Sequence, residues 1–454
     1  MQISQRVFAA VSLALVSFAQ APAFANVLKV APSGAPFTQI QAAVTAAGPD
    51  DVILISSGSY GAVTIDGKSL TLCSTTAGIV SILGTTTVKN LTPTQRVVLS
   101  GLKGYGPITS GFPPLGAGAG LVVVNNAGHV RVEKCTFEGA IGWGDNTTGG
   151  SFGGCCDMSA VNGGRAGAML RDNAQGVSFV ACALKGGRGA NAIFQVAACD
   201  CGSGSFGGEG LSVTSTLTAL YDCSCIGGGG GHDANGGAGG PGCGISSGTL
   251  LSGAFASGTS FQGGNGGNSW GAFPFLVGSS GGHGLVVGSS TSARVLNVVF
   301  SGGAGGFKVS EPGVPPAPPG AQGASGASFS SSGPIFFDTE SKLVMTTDRV
   351  AHGGTVVTLR VQGLAGQNIR LLVSRSSTFQ ILPSWRGTLL SALGKGAVDV
   401  PMGTIPASGL LERRYLVPQL PAGATSGAVF VQAYRFDPVL GLKLSAGTTV
   451  TLLR

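Results

Sequence analysis

The stretch GLVVVNNAGHVRVEKCTFEG, residues 120–139, carries two short apolar runs separated by a polar turn, with glycine at each end. Its meaning lies in its copies. GAMLRDNAQGVSFVACALKG (167–186), GLSVTSTLTALYDCSCIG (210–227), GISSGTLLSGAFASGTSFQG (244–263) and GLVVGSSTSARVLNVVFSG (284–302) repeat the unit in 18 to 20 residues, and a weaker copy ends RVVLSGLKG (96–104). Aligned, they form columns. Cys135, Cys182 and Cys223 share one position, continued by Thr259 and Val298 and preceded by Ser100. Two residues on stand Leu102, Phe137, Leu184, Cys225, Phe261 and Phe300, and two further on is glycine throughout, from Gly104 and Gly139 to Gly302. Three before the cysteine column come Val97, Val132, Phe179, Leu220 and Val295. This spacing describes two short strands with a bend between them, both facing inward.

Between the copies lie loops of unequal length, roughly 140–166, 187–209, 228–243, 264–283 and 303–325, rich in Gly, Ser, Ala and Asn. Short strands, a glycine at one corner and long excursions there predict a parallel β-solenoid, in which each coil buries its inner face only by stacking on the next. Glycine supplies 80 of 454 residues and charged residues 10%, while hydrophobic content stays at 43%, enough for a core.

Upstream, Phe37, Ile40, Val44 and Ala47 fall on one helical face and Gly48 ends the run. A short amphipathic helix there would cover the open end of the solenoid. FTQIQAAV (37–44), GPDDVILISSGSYG (48–61) and IDGKSLTL (65–72) resemble the N-terminal segment of bacterial right-handed parallel β-helix proteins of the pectin-lyase-like class. The resemblance implies that fold for residues 26–334. It leaves function open, because the class includes lyases, hydrolases, epimerases and non-catalytic surface proteins.

After the proline- and glycine-rich stretch 308–333 the texture changes to alternating strands, such as GGTVVTLRVQGL and GAVFVQAYRF. Residues 335–454 are therefore expected to form a small antiparallel, Ig-like β-sandwich. At the other end, Arg6, an apolar run from Val7 to Ala19 and Ala23-Phe24-Ala25 have the layout of a secretory signal peptide over residues 1–25. The expectation is an all-β protein, secreted or held at the cell surface, with no membrane span once the signal is removed.

Charge excludes one class of partner. Thirteen basic and thirteen acidic residues cancel between 26 and 334, whereas 335–454 carries twelve against six, scattered among strands. No basic run marks a nucleic-acid site, and acidic polysaccharide or envelope material fits better. Strand-borne Cys73, Cys135, Cys182, Cys223 and Cys225 are expected as buried thiols. Cys155, Cys156, Cys199, Cys201 and Cys243 lie in or beside three successive loops and are the disulfide candidates, with at least one left over.

Catalysis is the harder question. Lyases of the resembled class hold Ca²⁺ with carboxylates on neighbouring coils and use an Arg or Lys base. Here no two carboxylates align on adjacent coils. Asp172 has Asn125 and Ser215 as column neighbours, and Glu133 and Asp222 are separated by Val180 and Ala181. The most polar place supplies the weak catalytic candidates Arg171, Asp172, Lys185 and Arg188. His232 and Asp233 lack the cysteine and histidine spacing of a zinc site, and no Lys-Ser/Thr follows the glycines to make a phosphate loop. Hence no metal site or cofactor is expected, with Ca²⁺ retained only for a lyase. Aromatic residues in the loops, Trp143, Phe152, Phe206, Trp270, Phe273 and Phe275, are binding candidates for sugar rings. The expected function is a non-catalytic carbohydrate- or envelope-binding module; the alternative is a polysaccharide lyase or glycoside hydrolase.

Overall fold

The computed structural model describes residues 25–75, 79–107, 118–142, 163–190, 204–232, 236–246, 253–270, 278–309, 322–338, 343–348, 350–381, 385–393, 397–420, 424–437 and 441–454. The expected signal peptide lies outside them, apart from Ala25. The protein is nearly all β, around one large parallel sheet.

That sheet runs as three parallel ladders, and each strand pairs with its counterparts one coil earlier and one coil later. The first ladder passes from Val27–Val30 through Asp51–Ile55, Leu70–Ser74, Arg96–Ser100 and His129–Glu133 to the later coils, ending at Ile335–Asp338. The second includes Leu102–Tyr105, Thr136–Glu138, Ala183–Lys185, Ser224–Ile226, Ser260–Gln262 and Val299–Ser301. The third includes Leu121–Val124, Cys243–Ile245, Leu285–Val287 and Phe329–Ser331.

Side chains close these coils from within. Phe137, Leu184, Cys225, Phe261 and Phe300 stand in register, as the repeat columns require. Val132, Phe179 and Leu220 form a second fully buried column. At full burial each contributes ~1.5–3 kcal/mol, which isolated coils would forgo. The weak first copy sits two residues away from its expected register. Leu99, not Val97, faces Val132, and Gly104 faces Phe137. The reason is space: a Cβ on Gly104 would come within 2.6 Å of the Phe137 ring, so the corner glycine of this coil is Gly106.

The bend after the first ladder explains the cysteine column. Cys135, Cys182 and Cys223 donate through Sγ to the carbonyls of Glu133, Val180 and Tyr221, each two residues back, and Thr259 Oγ1 does the same to Ser257. These positions thus take a small side chain, a weak donor in four successive coils and Val298 in the next. The six described cysteines are all buried thiols outside any disulfide. At the corner after the third ladder, Asn126, Asn173 and Thr216 form a buried polar ladder, with Asn126 Nδ2 donating to Asn173 Oδ1 at 2.8 Å and Asn173 Nδ2 to Thr216 Oγ1 at 3.1 Å.

Helix α1 (Ile40–Ala46) buries Ile40, Ala43 and Val44 against the first coils. Lys68 Nζ donates to the carbonyls of Val44, Thr45 and Ala47, satisfying the helix C-terminus.

Downstream, a three-stranded antiparallel sheet and a six-stranded, mainly antiparallel sheet, in which Val350–His352 and Trp385–Arg386 pair parallel, enclose a separate apolar cluster around Leu359, Val361, Leu371 and Val431. This C-terminal unit lies along the first ladder. Glu133 Oε1 accepts from the Thr449 backbone at 2.9 Å and from its hydroxyl at 2.8 Å, and it pairs with the buried Arg131. Tyr221 Oη accepts the Thr388 N–H at 2.9 Å, and Phe379 joins Val180, Ala219 and Leu390 in a shared cluster. His129 bridges Ser178 and Ser377, and its burial, with the charges of Arg131 and Arg96, lowers its pKa to about 3.

Candidate functional site

From the coil that contains Phe137 onward, the chain leaves the second ladder, makes an excursion and returns to the third. The sequence suggests loops there; the described residues form two stacked layers of extended backbone. Outgoing segments, such as 186–190, 227–232, 263–268 and 302–307, hydrogen-bond to one another, as from Gly189 N–H to the Gly229 carbonyl and from Gly230 N–H to Asn265, both 2.8 Å. Returning segments, such as 204–210, 236–242 and 278–284, do likewise, from Gly207 N–H to Ala238 at 2.9 Å and from Gly239 N–H to Ser280 at 3.0 Å. A third set zigzags between the layers: Gly228 donates to Gly208, Gly240 to Gly228 and Gly264 to Gly240, each at 2.8 Å, and Gly282 to Gly264 at 2.7 Å.

The period is three residues, that of a polyproline-II helix, which makes no hydrogen bonds within its own strand. Of every three N–H groups, one points along its layer, one across to the other layer and one outward. At most of the positions that bond along or across the layers there is no room for a side chain. A Cβ on Gly227 would lie 1.9 Å from the Gly240 carbonyl oxygen, and one on Gly264 2.0 Å from that of Gly228. The resulting triplets, Gly-Gly-x, can be read in GGNGGN (263–268), GGAGGF (302–307) and GGAGGPG (236–242).

Apart from Arg165, Ser205 and Ser279, which take interlayer positions, the larger side chains of the described segments stand outward. On the outgoing face these include Ile141, Arg188, His232, Asn265, Asn268 and Phe307. Three of them cap the outward N–H groups of the next coil. His232 Nδ1 accepts from Asn268 N–H at 2.8 Å, Asn265 Oδ1 from Ala304 N–H at 3.0 Å, and Asn268 Oδ1 from Phe307 N–H at 2.9 Å. Burial, then the charge of Arg188, lowers the pKa of His232. On the returning face, His283 Nδ1 caps Ala327 N–H at 3.0 Å, and burial raises the pKa of Glu209 against a hydrogen bond from Ser212. Phe206 stands 70% exposed on that face, in a row with Ala238 and Ser280.

The catalytic candidates do not come together. Arg171 and Asp172 form a half-exposed ion pair of 3.3 Å at the end of a third-ladder strand. There Asp172 adopts a left-handed φ of 54°, as do Asn125 at 54° and Ser215 at 47°, so the column is a corner that short polar residues tolerate. Lys185 and Arg188 instead lie at the glycine corner. Of the binding candidates, Phe206 is exposed, and the Trp270 backbone pairs with Val309. Trp143, Phe152, Phe273 and Phe275 lie outside the described residues, as do Asp233 and the disulfide candidates Cys155, Cys156, Cys199 and Cys201.

Cys243 is a correction. It is not a loop cysteine but the first residue of a third-ladder strand, a free, fully buried thiol in register with Leu211 and Leu285. Burial, with the charge of Glu209, pushes its pKa well up. Among the described residues, no three His, Cys, Asp or Glu side chains are grouped to hold a metal, and no helix is long and apolar enough to cross a membrane.

Sequence reasoning missed the glycine stack and the Asn126–Asn173–Thr216 ladder. The signal for the first was the three-residue period inside each glycine run, visible in 263–268 and 302–307. The second carries a polar residue at an inward position in three successive coils.

No protein-family model matches the chain, and no curated protein does. Among solved structures, the enzymatically active domain of bacteriophage CBA120 tailspike protein 2 aligns over 95% of this chain and 77% of its own, at 11% identity and a TM-score of 0.27. A superoxide reductase (neelaredoxin) from Ignicoccus hospitalis covers 24% of this chain and 80% of its own, at 13% identity and a TM-score of 0.14. Both superpose too loosely to carry fold or function across.

Proposed function

We propose that the chain is an exported right-handed parallel β-helix followed by a C-terminal β-sandwich, serving as a non-catalytic module that binds carbohydrate or envelope material. Three parallel ladders capped by α1 support the fold, and the right hand follows from the general preference of parallel crossover connections. The parallel part is taken as residues 26–334 or slightly beyond, since Ile335–Asp338 still pairs with Ser292–Leu296. A signal peptide over 1–25 completes the reading.

The observation that carries the function is the glycine stack. It occupies the corner between the second and third ladders with closely hydrogen-bonded backbone, leaving flat outer faces. Among the described residues, no two carboxylates share a column on adjacent coils, which supports the non-catalytic reading over lyase or hydrolase chemistry. A flat face bearing an exposed Phe206 ring suits stacking against a sugar.

The test is incubation of the protein with uronate and neutral polysaccharide panels, with and without Ca²⁺, following both retention and products. Retention without new unsaturated or reducing ends is expected; such ends would establish the polysaccharide lyase or hydrolase alternative. Phe206→Ala should weaken retention of neutral glycans about two- to tenfold, the worth of one well-placed aromatic contact.

A further inference from the structure

The first coil contains a buried carboxylate whose two oxygens both hold backbone N–H groups. Asp51 is 3% exposed. Its Oδ1 accepts the Asn26 N–H at 2.6 Å and its Oδ2 the Gly48 N–H at 2.8 Å. Asn26 is also fixed through its carbonyl, which accepts the Val52 N–H at 2.9 Å, just before Val27 and Val52 open the first ladder. The ladder therefore sets where the Asn26 nitrogen lies, whatever precedes it in the chain. What precedes it is Ala25, the last residue of Ala23-Phe24-Ala25. The Ala25 carbonyl accepts from the hydroxyls of Thr425 at 2.8 Å and Ser426 at 3.2 Å, on the C-terminal unit. Charged groups on the neighbouring elements are Lys29, Arg454 and Lys68, whose Nζ donates to the helix carbonyls. Asp50, the other carboxylate side chain there, pairs with Arg96 at 3.4 Å.

We propose that Asp51 is the receptor of the mature amino terminus, so that removal of the signal locks the start of the first ladder beside α1. Hydrolysis between Ala25 and Asn26 adds water across one peptide bond. The new carboxylate leaves on Ala25 with the signal, and the α-amine stays on Asn26 and takes up a proton. Even in free solution an α-amine carries that proton below ~7.7–8.0. The same nitrogen thus changes from a neutral single donor to a cation with three donors, against a carboxylate already within hydrogen-bond reach. A cut at a neighbouring bond either leaves Asn26 as an amide or removes it, so the ion pair also defines which bond is cut. This inference rests on the signal-peptide reading and gives the released terminus a specific acceptor.

The decisive comparison is between the chain beginning at Asn26 and the same chain with Ala25 as an additional first residue, both released from a cleavable fusion. The extended chain keeps the Thr425 and Ser426 bonds to Ala25 but returns the Asn26 nitrogen to an amide. Competitive acetylation of the α-amine across pH, read by peptide mapping, should place its pKa in the native Asn26 chain about one pH unit above ~7.7–8.0, and near that range in the extended chain. A raised α-amine pKa stabilises the fold below the unfolded value, and the gain is lost as pH rises through the folded value. At pH 6–7 the unfolding equilibrium constant of the Asn26 chain should therefore be about tenfold smaller than that of the extended chain, with the difference gone by pH ~10. Asp51→Asn should erase both effects; if that variant does not fold, the two unsubstituted chains still decide. An unshifted α-amine, or an extended chain as stable as the Asn26 chain at pH 6–7, would overturn the proposal. Amino-terminal sequencing of the chain exported from a bacterial host should give Asn26. Another first residue ends the signal-peptide boundary and the inference together, whereas Asn26 with an unshifted amine ends the inference alone.

Discussion

The interior of the coils and the glycine stack share the same repeat step and the same parallel direction, yet they cohere by opposite means. In the coils, Phe179 and Leu184 are fully buried and fill space that backbone alone would leave empty. In the stack, the carbonyl of Gly240 lies where a Cβ of Gly227 would be, and cohesion comes from N–H···O=C bonds in two directions. One region is specified by which side chains are present, the other by their exclusion. Since the stack packs through its backbone, most of its larger side chains stand at outward positions, among them Arg188, Asn265, Asn268 and Phe206.

The contrast predicts two different responses to a change of one side chain. Phe179→Ala removes a fully buried ring between Val132 and Leu220 and should cost about 3–5 kcal/mol. The loss should appear in thermal or denaturant unfolding and in the slowest-exchanging amides of all three ladders. Gly264→Ala does the reverse, adding one carbon 2.0 Å from the Gly228 carbonyl oxygen. Overpacking of this kind costs roughly 1–3 kcal/mol. Hydrogen exchange should quicken at Gly264, Gly282 and their neighbours while the Phe179 coil stays protected. Equal loss of protection in both places would mean that the stack is not a separate layer of cohesion.

The same contrast explains what could be read from the sequence. Side chains that fill a core leave a period of two in the residues themselves, so Phe137, Leu184, Cys225, Phe261 and Phe300 were legible as a column before any coordinate. Even there the first coil misleads, because Gly104 reads as a corner glycine but is the gap into which Phe137 fits. Backbone cohesion leaves only a pattern of absences. The Gly-Gly-x triplets of 263–268 were present, but runs such as GGGGG (227–231) hide the phase, and unequal excursion lengths obscure the stacking. The candidate site suffered more. Nearness in sequence groups Lys185 and Arg188 with Arg171 and Asp172, although half a coil separates the pairs. Nothing in the sequence said that Asn265 and Asn268 would have their acceptors consumed by the next coil.

Cys243 stands where the two regions meet, and it yields the smallest but most discriminating effect. Gly242 before it belongs to the stack, donating to the His283 carbonyl at 2.9 Å, while its own side chain lies in the core column with Leu211 and Leu285. Its thiol, held neutral by burial, should resist alkylation in the native protein and react only when the strand opens. If side-chain packing governs that strand, labelling should accelerate strongly in Phe179→Ala and by no more than about fivefold in Gly264→Ala, since local strain of ~1 kcal/mol or less would reach it. Peptide mapping after timed alkylation reads the rate directly. Comparable acceleration in both variants would join stack and core into one cooperative unit. A Cys243 that stays unlabelled even after unfolding without reductant would return it to a disulfide and displace it from the core column.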